Sequence, residues 1–193
     1  MTKFLKRFLS GSEQSGFTLI ELIIVIGISV ILSSILFSYS HTTRQQLALY
    51  AEEMKLVQTI FRAKSLALAS YIQMTSSNVC GYGIHINYVA MNYSLFSYNK
   101  PNGLNCKNIN SIDAASETKI STFTLDPNVK FISSQAGLTR LDDILFIPPD
   151  PLTIVSSDGN SVISGLASVV IQTLDNSLSA RVNVNSAGLI DFR

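Results

Sequence analysis

The chain has 193 residues, 47% of them hydrophobic and only 14% charged, with a formal net charge of +1. That length holds a membrane segment plus one domain with a real core. The balanced charge excludes both the basic field of a general nucleic-acid binder and the acidic bias of a disordered tail, and two cysteines are too few for a disulfide scaffold.

Residues 1–16, MTKFLKRFLSGSEQSG, carry Lys3, Lys6 and Arg7 and end in Gly16. An apolar run of about 21 residues follows, Phe17 to Phe37, which at about 1.5 Å per residue spans roughly 30 Å of hydrocarbon. Its Leu, Ile, Val and Phe residues, at about 0.3–0.6 kcal/mol each, favour insertion by roughly 4–9 kcal/mol. Glu21 interrupts it. A charge costs about 2.5–3.5 kcal/mol at a membrane centre, and one near the end of the run does not overturn the balance. The cations ahead of the run hold residues 1–16 in the cytoplasm and send the body of the chain across the membrane. A secretory signal would have an apolar core of about 7–15 residues and a small-x-small cleavage site, and FSYSHTTRQQ supplies none. A plain single-pass anchor fits the run but leaves Glu21 unexplained.

The stretch GFTLIEL, with Gly16 before Phe17 and Glu21 as the fifth residue from that Phe, resembles the leader junction of type IV pilins and type II secretion pseudopilins. The resemblance covers the leader and the first helix. It implies cleavage after Gly16 by a prepilin peptidase, N-methylation of Phe17, and retention of the apolar helix on the mature protein. It also implies storage in the cytoplasmic membrane, with the N-terminus inside and the C-terminal domain outside. An assembly platform would then draw the subunit into a fibre of pilin or pseudopilin subunits. Under that reading Glu21 sets the assembly register, its carboxylate pairing with the Phe17 amine of a neighbouring subunit in a low-dielectric core. The competing account is that Glu21 complements the dipole at the start of its own helix.

From Tyr39 the sequence turns mixed, with no Pro or Gly until Gly81. Leu47, Met54, Phe61 and Leu68 recur every seven residues, with Tyr50, Val57 and Tyr71 beside them, which predicts an amphipathic helix whose apolar stripe packs on the following domain. Arg44, Glu52, Glu53, Lys55 and Arg62 mostly fall off that stripe. The predicted organisation is therefore a leader at 1–16, a long helix at 17–76 (17–37 transmembrane, 38–76 amphipathic), and a β-rich domain at 77–193.

Tyr82–Asn99 alternates and is rich in Ile, Tyr and Phe, predicting two strands joined near Asn87–Ala90. KPNGLNCKN is a turn-rich loop. TKISTFTL, NVKFIS and DILFI are short strand candidates, the last closed by Pro148, Pro149 and Pro151. LASVVIQTL, LSARVNVN and GLIDF then form a three-strand antiparallel pattern, turning at LDNSL and NSAG. The expected fold is α+β and pilin-like: a long N-terminal helix packed on an antiparallel β-rich domain. The β-rich body and its Asn-x-x-Gly turn resemble minor pseudopilins of the GspH/FimT type. Many major pilins carry a proline where this chain has Ser38.

Cys80 and Cys106 are a candidate disulfide, favoured over two free thiols once the domain lies on an oxidising face. His41 and His85 have no nucleophile or carboxylate nearby in sequence, so no catalysis is expected. Asp142, Asp143, Asp150, Asp158 and Asn160 read as loop acids in turn and cap roles. No cofactor is expected. Some pseudopilins bind calcium, and hard oxygen ligands such as these would suit it, but EF-hand spacing is lacking. Some FimT-like minor pilins take part in DNA uptake, and Arg181 and Arg193 are the candidate contacts here. Two scattered cations do not make a nucleic-acid face. The expected partners are other pilin or pseudopilin subunits, the peptidase, the assembly platform and membrane lipid.

Overall fold

The computed structural model describes residues 18–72, 78–100, 106–133, 136–148, 152–157, 161–162 and 164–192. By compactness the chain divides into residues 1–42 and 43–193. The architecture is α+β: one long helix and two antiparallel sheets.

Helix α1 runs Leu19–Ile72, 54 residues without a proline. Its start is specified locally. Thr18 Oγ1 accepts from the Glu21 backbone N–H at 3.3 Å, so Thr18-x-x-Glu21 has the residues and half the bonding of a capping box. In the first unit Leu19–Leu36 is long and apolar enough to cross a membrane, and none of it is buried. Its hydroxyls are satisfied within the helix: Ser29 Oγ donates to Val25 O at 2.8 Å, Ser33 Oγ to Ser29 O at 2.7 Å, and Ser34 Oγ to Ile31 O at 3.0 Å. Lipid offers hydroxyls no partners, so this internal bonding is what makes three serines tolerable there.

In the second unit α1 buries Leu49, Leu56, Val57, Ile60, Ala63 and Ala67, together with Glu52 and Glu53. This corrects the helical stripe inferred from sequence. Leu47, Tyr50, Met54, Phe61, Leu68 and Tyr71 are 43–64% exposed, and of that set only Val57 is buried. Both faces repeat at helical spacing. The sheets meet the face that carries Leu49, Leu56, Ile60, Ala63 and Ala67. Burial raises the Glu53 pKa above the ordinary carboxylate value.

Sheet A has six strands in the order β3-β2-β1-β5-β6-β7. They are β1 (Val79–Asn87), β2 (Asn92–Asn99), β3 (Glu117–Thr124), β5 (Asp143–Ile147), β6 (Leu152–Ser157) and β7 (Ser161–Val162). Sheet B has four in the order β10-β9-β8-β4, namely β4 (Val129–Ile132), β8 (Leu166–Thr173), β9 (Ser179–Asn185) and β10 (Ile190–Phe192). Every pairing in both ladders is antiparallel. The hairpins anticipated from alternation are present. Strands β6 and β7 were not anticipated: β5 ends at Ile147, ahead of Pro148, and the chain pairs again from Leu152.

The chain crosses between sheets at Thr139–Asp142. Ser168 N donates to Thr139 O and Leu141 N to Ser168 O in sheet B, while Asp142 N donates to Ser156 O and Ile86 N to Asp142 O in sheet A. The main core joins α1 to one face of each sheet, with Ile84, Tyr93, Leu95 and Ile144 from sheet A and Phe131, Val169, Ile171 and Val182 from sheet B. Sheet A's other face carries a second cluster, Phe96, Tyr98, Leu145, Ile147 and Ile154, covered by Ile109 and Ile112 of the 106–116 segment. A disulfide joins Cys80 to Cys106, Cα–Cα 5.2 Å, and fastens that cover at one end. Tyr98 Oη fastens the other, accepting from Asp113 N at 3.1 Å and donating to Ser111 O at 3.4 Å.

The last turns follow their chemistry. Asp175 Oδ1 accepts from Thr173 Oγ1 at 2.6 Å and Ser177 Oγ at 2.8 Å, which holds its pKa below the usual range, and Asn176 takes the left-handed conformation (φ 61). In NSAG, Asn185 Oδ1 accepts from Leu189 N at 2.9 Å and Gly188 has φ 72. Lys64 Nζ donates to Gly188 O at 3.1 Å, tying α1 to this turn.

Candidate functional site

Three features outside the cores are candidates for function. One is the N-terminal helix. Glu21 is the acidic residue of its first turn, placed where the helix dipole favours negative charge. Gly16 and Phe17, the predicted cleavage and methylation positions, lie outside the described residues.

Another is the outer face of α1 in the globular unit. Leu47, Tyr50, Met54, Phe61, Leu68 and Tyr71 line one helix surface and stay exposed among the described residues. A row of large apolar side chains of this length marks an interaction surface rather than scattered exposure.

The third lies on the covered face of sheet A, where cross-strand pairing lines up Ser94 (β2), His85 (β1), Asp143 (β5) and Ser156 (β6). Ser156 Oγ donates to Asp143 Oδ2 at 2.7 Å, and His85 Nδ1 lies 2.6 Å from Asp143 Oδ1. An ionised carboxylate only accepts, so Nδ1 carries the proton and Nε2 is the ring nitrogen left over. The hydrogen bond to Asp143 is the main reason the His85 pKa is raised above 6.5; the charges of Asp143 and Glu117 add to it, while burial and Lys119 oppose it. Glu117 is also raised, chiefly by burial and then by the Asp143 charge. His85 and Asp143, with Glu117 and Lys119 of β3 and Ile112 and Ala114 of the cover, line a cavity of about 240 Å³. Ser94, directly opposite His85 and 3% exposed, has a hydroxyl with no partner among the described residues.

Sequence reasoning missed this cluster. His85 does have a carboxylate partner, and Asp143 is a buried strand residue rather than a loop acid. Asp142 is also buried, bound by Arg140 through Nε at 2.7 Å and Nη2 at 2.8 Å, with the guanidinium 5.1 Å from the Tyr88 ring centroid. Burial, with the Asp142 charge adding to it, pushes the Tyr88 phenol far up. The alternation at Tyr82–Asn87 and the Asp at the start of DILFI put both acidic and imidazole side chains on in-sheet positions. Nothing local said that β1 and β5 would be neighbours.

Arg181, one of the two candidate DNA contacts, sits on β9 opposite Val170 of β8; Arg193 lies outside the described residues, as do the loop residues Asp150, Asp158 and Asn160. No three His, Cys, Asp or Glu residues group into a metal site among the described residues.

Residues 11–37 match the family described as the prokaryotic N-terminal methylation motif. The match takes in the Gly16–Phe17 junction, Glu21 and the apolar helix through Phe37, and it supports in general a pilin-like subunit of a type IV pilus or pseudopilus. No curated protein and no solved structure matches the chain.

Proposed function

We propose that this chain is a prepilin-like structural subunit, a minor one of the GspH/FimT type, and not an enzyme. It is cleaved between Gly16 and Phe17 and N-methylated at Phe17. It waits in the cytoplasmic membrane with its β-rich domain outside, then assembles through α1 into a type IV pilus or type II secretion pseudopilus. The observation that carries this is the methylation motif matched at 11–37 together with the unburied apolar length of the helix over Leu19–Leu36. The uncovered stripe from Leu47 to Tyr71 favours the same reading, since a fibre of such subunits would bury it between helices. The Phe17 amine of a neighbour would neutralise Glu21 and fix the axial register.

Mass spectrometry of membrane-purified protein tests the processing. A mature chain beginning at methylated Phe17 is the expected result. An intact Met1 chain from cells with an active prepilin peptidase overturns it. Glu21→Ala should insert normally and fail to enter fibres; normal incorporation would remove the register role.

A further inference from the structure

The row Ser94–His85–Asp143–Ser156 makes poor sense as a stability device. Asp143 is 3% exposed and Ser156 fully buried, on a sheet face otherwise packed with Phe96, Leu145, Ile147 and Ile154. Apolar side chains at those positions would extend the cluster, whereas a buried carboxylate must be compensated and often costs more than it returns. What the row does achieve is orientation. Ser156 fixes Asp143, Asp143 fixes the imidazole through Nδ1, and His85 lines the cavity shared with Glu117 and Lys119. A small concavity with converging polar groups and perturbed titrations is where a ligand is expected.

The lining specifies the ligand. With the ring protonated, the form the Asp143 hydrogen bond favours, His85 Nε2 becomes a donor beside Lys119 Nζ; the Glu117 carboxylate offers an acceptor, and Ile112 and Ala114 supply an apolar wall. At about 240 Å³ the space is below the roughly 300–1,000 Å³ of drug-sized sites. We propose that this cavity binds a small zwitterion of amino-acid size. Its carboxylate accepts from His85 and Lys119, and its ammonium donates to Glu117. The site is independent of fibre assembly: either can fail without the other.

The sequence holds two histidines, His41 and His85, so ring-labelled histidine in the full chain in detergent micelles gives two sets of signals. His85→Gln identifies the second set by its loss. Titration with alanine should shift the His85 ring saturably and leave His41 in place. Acetate alone, which lacks the one contact to Glu117, should bind about tenfold more weakly, and methylammonium alone, which lacks the two contacts to His85 and Lys119, about a hundredfold more weakly. Glu117→Gln should weaken alanine by a similar factor and leave acetate unchanged, and Lys119→Met should weaken both. Both substituted residues sit on the edge strand β3, and the unligated His85 signal reports that the fold is kept. Absence of a saturable shift with alanine overturns the proposal, and so does acetate binding as tightly as alanine.

Discussion

Ile60 and Phe61 are adjacent, yet the fold assigns them opposite fates: Ile60 is fully buried in the main core and Phe61 is 50% exposed. Sequence periodicity alone favours Phe61 as core. Ile60→Ala removes about three carbons, roughly 2.4 kcal/mol at about 0.8 per buried carbon. The cavity left behind brings the cost to about 2–5 kcal/mol, against a few tenths regained from the better helix propensity of Ala. In a domain of this size each kcal/mol lowers Tm by about 2–4 °C, so the melt should fall by roughly 4–20 °C. Phe61→Gln removes a half-exposed ring and keeps a good helix former, and should cost about 1 kcal/mol or less. Circular-dichroism melts of the full chain in detergent measure both. Equal losses, or a larger loss for Phe61→Gln, would show that the helix packs through the other face.

The His85 pKa is raised in the folded state, so its pairing with Asp143 stabilises fully below about pH 6.5, the unfolded value, and the contribution disappears as pH rises through the folded pKa. The difference in urea stability between the native chain and His85→Gln should therefore be larger at pH 6 than at pH 8.5, and a pH-independent difference would contradict the pairing. Gly83 faces the Ile144 carbonyl and the Phe96 ring so closely that an added Cβ would overlap both. Gly83→Ala should cost more than about 2 kcal/mol in the same melts, or prevent folding; a neutral substitution would mean that β1 and β5 are not paired in this register. Cys106→Ser opens a loop of sequence separation 26 and should cost about 3.5 kcal/mol on the chain-entropy relation. Hydrogen exchange should then accelerate first in residues 106–116, and uniform acceleration would argue against a tethered cover.

The elements visible in the sequence were those whose signals are local. Alternation in β1, β2, β8 and β9, turn residues at LDNSL and NSAG, and the absence of Pro and Gly from Ser38 to Cys80 each act over a few residues. What was hidden depended on distant parts of the chain. The buried face of α1 was obscured because Ala63 and Ala67, both buried, are weak hydrophobic signals beside the exposed Phe61 and Leu68. Glu52 and Glu53 read as surface charges and are buried. His85 and Asp143 are 58 residues apart, and only the strand order, which inserts β5 beside β1 after three other strands, makes them partners.

Glu21 admits two roles, and the start of α1 now separates them. Thr18 already accepts from the Glu21 N–H, and a capping box asks at that position for either Glu or Gln. Were Glu21 confined to its own helix start, Glu21→Gln would cost only the charge–dipole attraction, about 0.3–1 kcal/mol: the amide oxygen can still reach back to an N–H there, and insertion into the membrane would become easier. Were Glu21 the partner of a neighbour's Phe17 amine, the same change would delete an ion pair worth about 4 kcal/mol at 4 Å and an effective dielectric of 20. That is nearly a thousandfold in the subunit–subunit equilibrium. The two accounts thus predict opposite outcomes for one carboxylate-to-amide change, which leaves shape and helix start intact. Fibre incorporation of Glu21→Gln, quantified in sheared-fibre fractions against equal membrane levels, should fall to background; incorporation at the native level would assign Glu21 to its own helix and leave register to other contacts.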